Sequence, residues 1–301
     1  MPAAHLEISR RAIERGKHVY VEKPLALDLD RASALLDEAD AKGCLVGCAP
    51  DTFLGAGLQT CRRLVDEGAI GTPIAAMAHM VNHGHEHWHP DPGFYYARGG
   101  GPLLDMGPYY LTALVALLGP IAGAIASSSG VGASRIVAVG PRAGETLPVE
   151  VPTHVAGVLD LSCGAIVSLV MRFDVFASDL PRLEIHGGEG SLALPDPNTF
   201  GGPVRLFRAV AGGWEDMPID RFPLHQRGVG LADLAGAVRS EGANRASGRL
   251  ALHVLDAMLA LERSAACGER VELETSVARP RGMTELAGAA PDRTTSRRTP
   301  R

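Results

Sequence analysis

Apolar residues recur at helical spacing over residues 5–15, where Leu6, Ile8 and Ile13 stand among charges, and again over residues 32–41. Between and after these helices lie two short apolar runs, 19–21 entered from Gly16 and 44–48, and both read as buried strands. The order helix–strand–helix–strand predicts parallel strands joined by a crossover helix. Another helix is expected over 55–67, carried by Leu58, Cys61, Leu64 and Val65, and a strand over 74–81 beyond the turn Ile70-Gly71-Thr72-Pro73. Residues 82–98 are polar and crowded with histidine and aromatic side chains. Gly99, Gly100 and Gly101 then open a helix over 103–118 that Gly119-Pro120 closes. From 121 to 217 the period is mostly two. Strands over 155–161 and 165–173 flank Ser162-Cys163-Gly164, and strands over 182–186 and 191–194 flank Gly187-Gly188-Glu189-Gly190. Helices over 230–241 and 248–267 and a short strand over 270–274 follow, and the Pro-, Thr-, Ser- and Arg-rich run 279–301 predicts a disordered tail.

Composition narrows the class. A chain of 301 residues with 46% hydrophobic and 21% charged side chains reads as a globular protein of one large or two ordinary domains. A net charge of −5 argues against a nucleic-acid surface, and 5% aromatics argue against stacking platforms for single strands. The most apolar stretch, 103–126, is interrupted by Asp105, Pro108 and Pro120 and does not read as a membrane span. Five scattered cysteines, at 44, 48, 61, 163 and 267, fit a reducing cytoplasm better than a disulfide framework. Only three lysines occur, at 17, 23 and 42, against 26 arginines. A lysine kept where arginine is the habitual cation suits a need for an amine that can lose its proton.

Glu22-Lys23-Pro24 falls at the carboxyl end of a predicted parallel strand, where ligands bind in such sheets, and Pro24 stiffens the backbone that presents the pair. Lys23, partly withdrawn from water, is a candidate acid or base for a hydroxyl group; the bland alternative is a surface Glu–Lys pair of little energetic weight. Asp105 is expected in the first turn of the helix that follows the three glycines, either as part of a site or as a carboxylate favoured by the helix dipole. Tyr109, four residues on, shares its face. In His83-Gly84-His85-Glu86-His87-Trp88-His89-Pro90, histidines recur at spacing two. That segment reads as a substrate-contacting loop, a plain polar loop, or a metal site with Glu86 as a further ligand. Trp88, Tyr95 and Tyr96 suit a wall for a sugar ring or ordinary packing. Gly188-x-Gly190-x-x-Ala193 matches a loose dinucleotide pattern, but a strand and then Pro195 follow it where a helix is needed, so it reads as a hairpin turn.

The run Gly16-Lys17-His18-Val19-Tyr20-Val21-Glu22-Lys23-Pro24, followed by Gly99-Gly100-Gly101-Pro102-Leu103-Leu104-Asp105-Met106-Gly107, closely resembles the glucose–fructose oxidoreductase / inositol dehydrogenase (Gfo/Idh/MocA) family. The resemblance runs from Met1 to about residue 280. It implies an α/β Rossmann domain followed by an α+β domain with a large open, mainly antiparallel sheet. On this chain the divisions fall at 1–50 for the nucleotide side, 51–278 for the substrate and oligomerisation domain, and 279–301 for the tail. It implies NAD- or NADP-dependent hydride transfer to or from a sugar, polyol or related alcohol or ketone. It implies a catalytic set of Lys23, Asp105 and Tyr109, the last standing where many members carry histidine. Cofactor contacts are expected from Pro2, Glu22, Lys23 and Pro24, and substrate contacts from Trp88, His89 and Tyr96, with no metal. A cytoplasmic homo-oligomer through the open sheet is expected, with no nucleic-acid or membrane partner. Members of the family begin with a strand, a Gly-x-Gly-x-x-Gly turn and a helix that hold the pyrophosphate. That segment is not found before residue 19, so the chain is expected to be a C-terminal remnant of the nucleotide domain and to bind dinucleotide weakly. Two alternatives stay open: a non-catalytic remnant that still oligomerises, and a metal-dependent hydrolase built on the His-rich loop.

Overall fold

The computed structural model describes residues 4–130, 132–219, 226–239 and 244–283. Helix α1 (His5–Ile13) buries Leu6, Ser9 and Ile13. It leads through Gly16, at φ +67° in the left-handed region, into β1 (Val19–Val21). Helix α2 (Leu29–Ala41) begins earlier than its apolar pattern because the Asp28 carboxylate caps it, accepting from the Arg31 N–H at 2.9 Å. It carries the chain over to β2 (Val46–Cys48), which pairs parallel with β1 through Val19↔Val46, Tyr20↔Gly47 and Val21↔Cys48. The far edge of β2 is covered by a bond from the Cys48 N–H to the Ala246 carbonyl. A short 3₁₀ turn (Thr52–Leu54) and α3 (Ala56–Asp66) complete this part.

The remaining elements are β3 (Pro73–Val81), α4 (Gly93–Tyr96), α5 (Gly101–Leu118), β4 (Ile121–Ser129), β5 (Ser134–Ile136), β6 (Thr146–Pro148), β7 (His154–Leu161) and β8 (Ile166–Arg172). They continue as β9 (Leu183–Gly187), β10 (Gly190–Ala193), β11 (Arg205–Arg208), β12 (Gly213–Asp216), α6 (Val229–Val238), α7 (Gly248–Cys267) and β13 (Val271–Glu272). Nine strands form one sheet in the order β12-β11-β10-β9-β3-β8-β7-β4-β13. The sheet is mainly antiparallel, as expected, and is made mixed by a single parallel pair. Every neighbouring pair is antiparallel except β3 and β8, which run parallel from Ala75↔Ile166 to Val81↔Arg172. Between β3 and β8 the chain makes α5, β4 and β7, a connection long enough for parallel pairing. The hairpin between β9 and β10 confirms that Gly188 to Ala193 turns a strand and opens no helix.

One face of the sheet is packed. Val167, Leu169 and Met171 of β8 point into the core with Leu111, Leu114 and Leu117 of α5. Helix α5 is long and apolar enough to cross a membrane, but 89% of it is buried in this fold. Helix α7 lies along β4, where Ser264 Oγ accepts from the Ala126 N–H at 2.9 Å. Residues 279–283, expected in the tail, are packed instead. The Met283 N–H donates to Gln59 Oε1 at 2.7 Å and the Arg279 guanidinium to the Ala116 carbonyl at 3.1 Å, so α3 and α5 hold this stretch. Residues 284–301 of the expected tail, and Pro2, lie outside the described residues.

Candidate active site

The loop after β1 and the first two turns of α5 meet at a cavity of about 310 Å³. Glu22, Lys23 and Pro24 form one wall, with His5 beside them, and Gly99, Gly100, Leu104 and Asp105 form another. Phe94 and Tyr95, from α4, close it. The Lys23 ammonium donates to Asp105 Oδ1 at 2.6 Å and to the Asp105 main-chain carbonyl at 2.6 Å, and both side chains are only 15% exposed. Two of the three ammonium donors are thus engaged by one residue, and one direction is left on a nitrogen at the cavity wall. The Tyr109 ring centre lies 5.3 Å from the same nitrogen, within cation–π reach. His5 Nδ1–H donates to the Pro24 carbonyl at 2.8 Å and so ties α1 to the loop that carries Lys23.

The other carboxylate oxygen of Asp105 accepts from His85 Nε2 at 3.1 Å. Burial pushes the Asp105 carboxyl up, but the His85 hydrogen bond and the charge and hydrogen bond of Lys23 outweigh it and hold the group below its ordinary value. Asp105 is therefore a carboxylate at neutral pH. Burial first, then Asp105 and Tyr109, push the Tyr95 hydroxyl up to about 12, so it remains a hydrogen-bond donor.

The structure brings Lys23, Asp105 and Tyr109 together as expected, with Glu22 and Pro24 on the same cavity. Asp105 is not in the first turn of α5, because that helix starts at Gly101 with Pro102 at its N-terminus, and a dipole role at the helix start is excluded. Tyr96 must be withdrawn as a substrate contact. It is fully buried, its hydroxyl makes a short hydrogen bond to Glu86 Oε2, and its ring stacks under Arg135. Its neighbour Tyr95 faces the cavity instead. Consecutive residues of a four-residue helix point in different directions, and nothing in the order Tyr95-Tyr96 tells which one turns outward. Trp88 is exposed and meets His85 and His89 edge-on, and His89 Nδ1 accepts from the Asp91 N–H. The His-rich loop scatters its histidines. His83 stacks on His87 and Phe176, whereas His85 turns in to Asp105. Among the described residues no group of three or more His, Cys, Asp or Glu side chains converges as a metal site. His85 is the residue that sequence reasoning missed as a partner of Asp105: spacing two in an extended segment puts all four histidines on one face, and Gly84 at φ +95° with the turn that follows breaks that pattern.

The residues present fit the reacting end of a nicotinamide cofactor. The cavity has the size of a small-ligand cleft, an aromatic side, and an amine with one free direction beside a carboxylate. A parallel βαβ unit whose first strand ends at that amine, joined to a large mixed sheet, is a Rossmann-type arrangement. The sequence pattern described as "Oxidoreductase family, NAD-binding Rossmann fold" matches residues 1–49, and that of the "GFO/IDH/MocA C-terminal domain" matches residues 58–193. The chain belongs to the Gfo/Idh/MocA family of oxidoreductases. A 1,5-anhydro-D-fructose reductase from Ensifer adhaerens is 28% identical over 281 residues, which cover 91% of this chain and 78% of the relative. Among solved structures, an NAD-binding oxidoreductase from Klebsiella pneumoniae superposes with a TM-score of 0.76 at 20% identity, covering 92% of this chain and 78% of the other. A levoglucosan dehydrogenase in complex with NADH and L-sorbose gives a TM-score of 0.75 at 21% identity, covering 91% and 78%.

Proposed function

We propose that this chain works as an NAD- or NADP-dependent oxidoreductase on a small carbohydrate-like alcohol or ketone, with Lys23 as the group that takes or gives the hydroxyl proton. The observation that carries the reading is Lys23, whose nitrogen is held by Asp105 through two hydrogen bonds and whose side chain lines the cavity. Similarity to a reductase of 1,5-anhydro-D-fructose and to levoglucosan dehydrogenase supports a sugar-like substrate.

A bound nicotinamide supplies the hydride acceptor or donor; Glu22, Lys23 and Pro24 are the residues that would border its ring. In alcohol oxidation the Lys23 amine accepts the hydroxyl proton as the carbonyl forms, and the resulting ammonium is stabilised by Asp105 Oδ1, the Asp105 carbonyl and the Tyr109 ring. In the reverse direction the ammonium gives that proton to the developing alkoxide. Tyr95 donates a hydrogen bond to a second substrate oxygen, and Trp88 and His89 at the loop above α4 bound the outer end of the substrate. Residues 1–50 serve the cofactor side and 51–278 the substrate side, with self-association through the open face of the nine-stranded sheet.

A thermal-shift titration of the purified chain with NAD(H) and NADP(H) tests the cofactor assignment, because a ligand that binds the native state raises apparent stability by about 2.7 kcal/mol at a hundredfold excess over Kd. A saturable rise with one of the two dinucleotides is expected. No rise at millimolar concentrations of either would remove the cofactor from the account.

A further inference from the structure

His85 does not line the cavity, yet it touches the residue that holds Lys23. Its Nε2 is 3.1 Å from Asp105 Oδ2, while Lys23 Nζ is 2.6 Å from Oδ1 of the same carboxylate. The imidazole is buried, at 6% exposure, and among the described residues its Nδ1 has no hydrogen-bond partner. One ring nitrogen of a neutral imidazole must carry the proton. Nδ1 has no acceptor within reach and Nε2 faces a carboxylate, so the proton sits on Nε2 and is donated to Asp105. The ring cannot turn away from this bond. It is packed against Trp88 at 5.3 Å, Tyr95 at 4.1 Å and Phe173 at 4.6 Å between centres, and its main-chain N–H donates to the Tyr96 hydroxyl at 3.1 Å. This clamps the loop and the ring in one setting.

We infer that His85 is a positioning residue for Lys23: its donation to Oδ2 fixes the carboxylate with Oδ1 toward the ammonium and draws off part of the negative charge, so that Lys23 can release its proton to act as a base. The inference rests on the reading of Lys23 as the proton-handling group. The physical conflict it resolves is plain. A buried carboxylate that pairs with one cation alone holds that cation in its charged form, and a lysine so held is a poor base. A neutral donor on the opposite oxygen keeps the carboxylate ionised while weakening its pull on the ammonium. The groups facing His85 are Asp105 from α5 and Tyr95 from α4, with Trp88 and Phe173 as uncharged rings. The adjacent Glu86 is turned to Tyr96, His87 and Arg135. Facing Lys23 are Asp105 and Tyr109 from α5, with Glu22, His5 and Tyr95 of α4 on the same cavity.

The chain has only three lysines, Lys17, Lys23 and Lys42, so labelling lysine Cε with carbon-13 gives three signals, and that of Lys23 is assigned by its loss in Lys23→Arg. The full chain is titrated with pH as wild type, as His85→Phe, which keeps the ring volume without the donor, and as His85→Gln, whose amide N–H reaches toward the same oxygen and does not titrate. The Lys23 midpoint is expected to rise by about one pH unit in His85→Phe and to return to the wild-type value in His85→Gln, with Lys17 and Lys42 unmoved. If a cofactor-dependent alcohol oxidation is present, the acidic limb of its pH profile, where the base must lose its proton, follows the same shift. An unchanged Lys23 midpoint in a folded His85→Phe overturns the inference; should that variant not fold, His85→Ala is read in the same way. The titration needs neither cofactor nor turnover, so an inactive enzyme would count against the redox reading without moving this result.

Discussion

Lys23 and Asp105 meet at 2.6 Å in a setting where neither is more than 15% exposed, and that combination has consequences for stability as well as chemistry. The carboxyl of Asp105 is held below its ordinary value by His85 and Lys23 against the opposing effect of burial. A carboxylate whose folded value is depressed stabilises the fold above the unfolded value, near pH 4, and that contribution disappears as pH falls through the folded value. Asp105→Asn is therefore expected to cost about 2 kcal/mol at pH 7 by denaturant unfolding, with the gap to wild type closing below pH 4. A gap that stays constant down to pH 3 would mean that Asp105 gains nothing from its partners. At this scale the sequence was legible where chain neighbours define the chemistry. Glu22-Lys23-Pro24 sits at a strand end, and Asp105 and Tyr109 share a helix face because they are four residues apart. It was not legible where the partner comes from a loop. His85 reaches Asp105 across 20 positions in the chain, and Tyr96 is drawn inward by the Glu86–Arg135–Asp174 ion-pair cluster, which joins three distant segments.

Strands and helices with strong periodicity could be read directly, β1 and α7 to the residue. What periodicity does not carry is pairing. Nothing along β3 or β8 says that the two run parallel at the centre of an otherwise antiparallel sheet, since that follows from the path through α5, β4 and β7. The pleat does say which side chains share a face. Met77 pairs with Ser168, Ser168 with Val158, and Val158 with Ile125, and this row crosses four strands on the side away from α5 and α7. Met77, Ile125 and Ile166 are exposed there. This row, apolar apart from Ser168, is where the proposed self-association would occur. Met77→Arg is expected to lower the mass found by sedimentation equilibrium while changing unfolding stability by less than about 1 kcal/mol, because the side chain is exposed in one chain. A monomeric wild-type protein, or an unaltered assembly in the variant, would refute self-association through this face.

At the scale of the molecule, one continuous core runs from α1 and α2 through α5 and α7 to the sheet, and one reactive pair sits where the loop after β1 meets α5. The loop after β1 contributes the amine, and the N-terminal half of α5 contributes the carboxylate; α1 and the His-rich loop hold each from behind through His5 and His85. The family pattern was readable across both regions, and the resemblance it suggested is the membership that the sequence patterns over residues 1–49 and 58–193 establish. The decisive measurement is the rate of reduced-nicotinamide formation from NAD or NADP and a panel of small sugars and polyols, compared between wild type and Lys23→Met. The account predicts saturable turnover by the wild-type chain and a fall in kcat of about 10²–10⁴-fold in the variant, the range for loss of a positioned acid–base group. Equal turnover by Lys23→Met and wild type would contradict it.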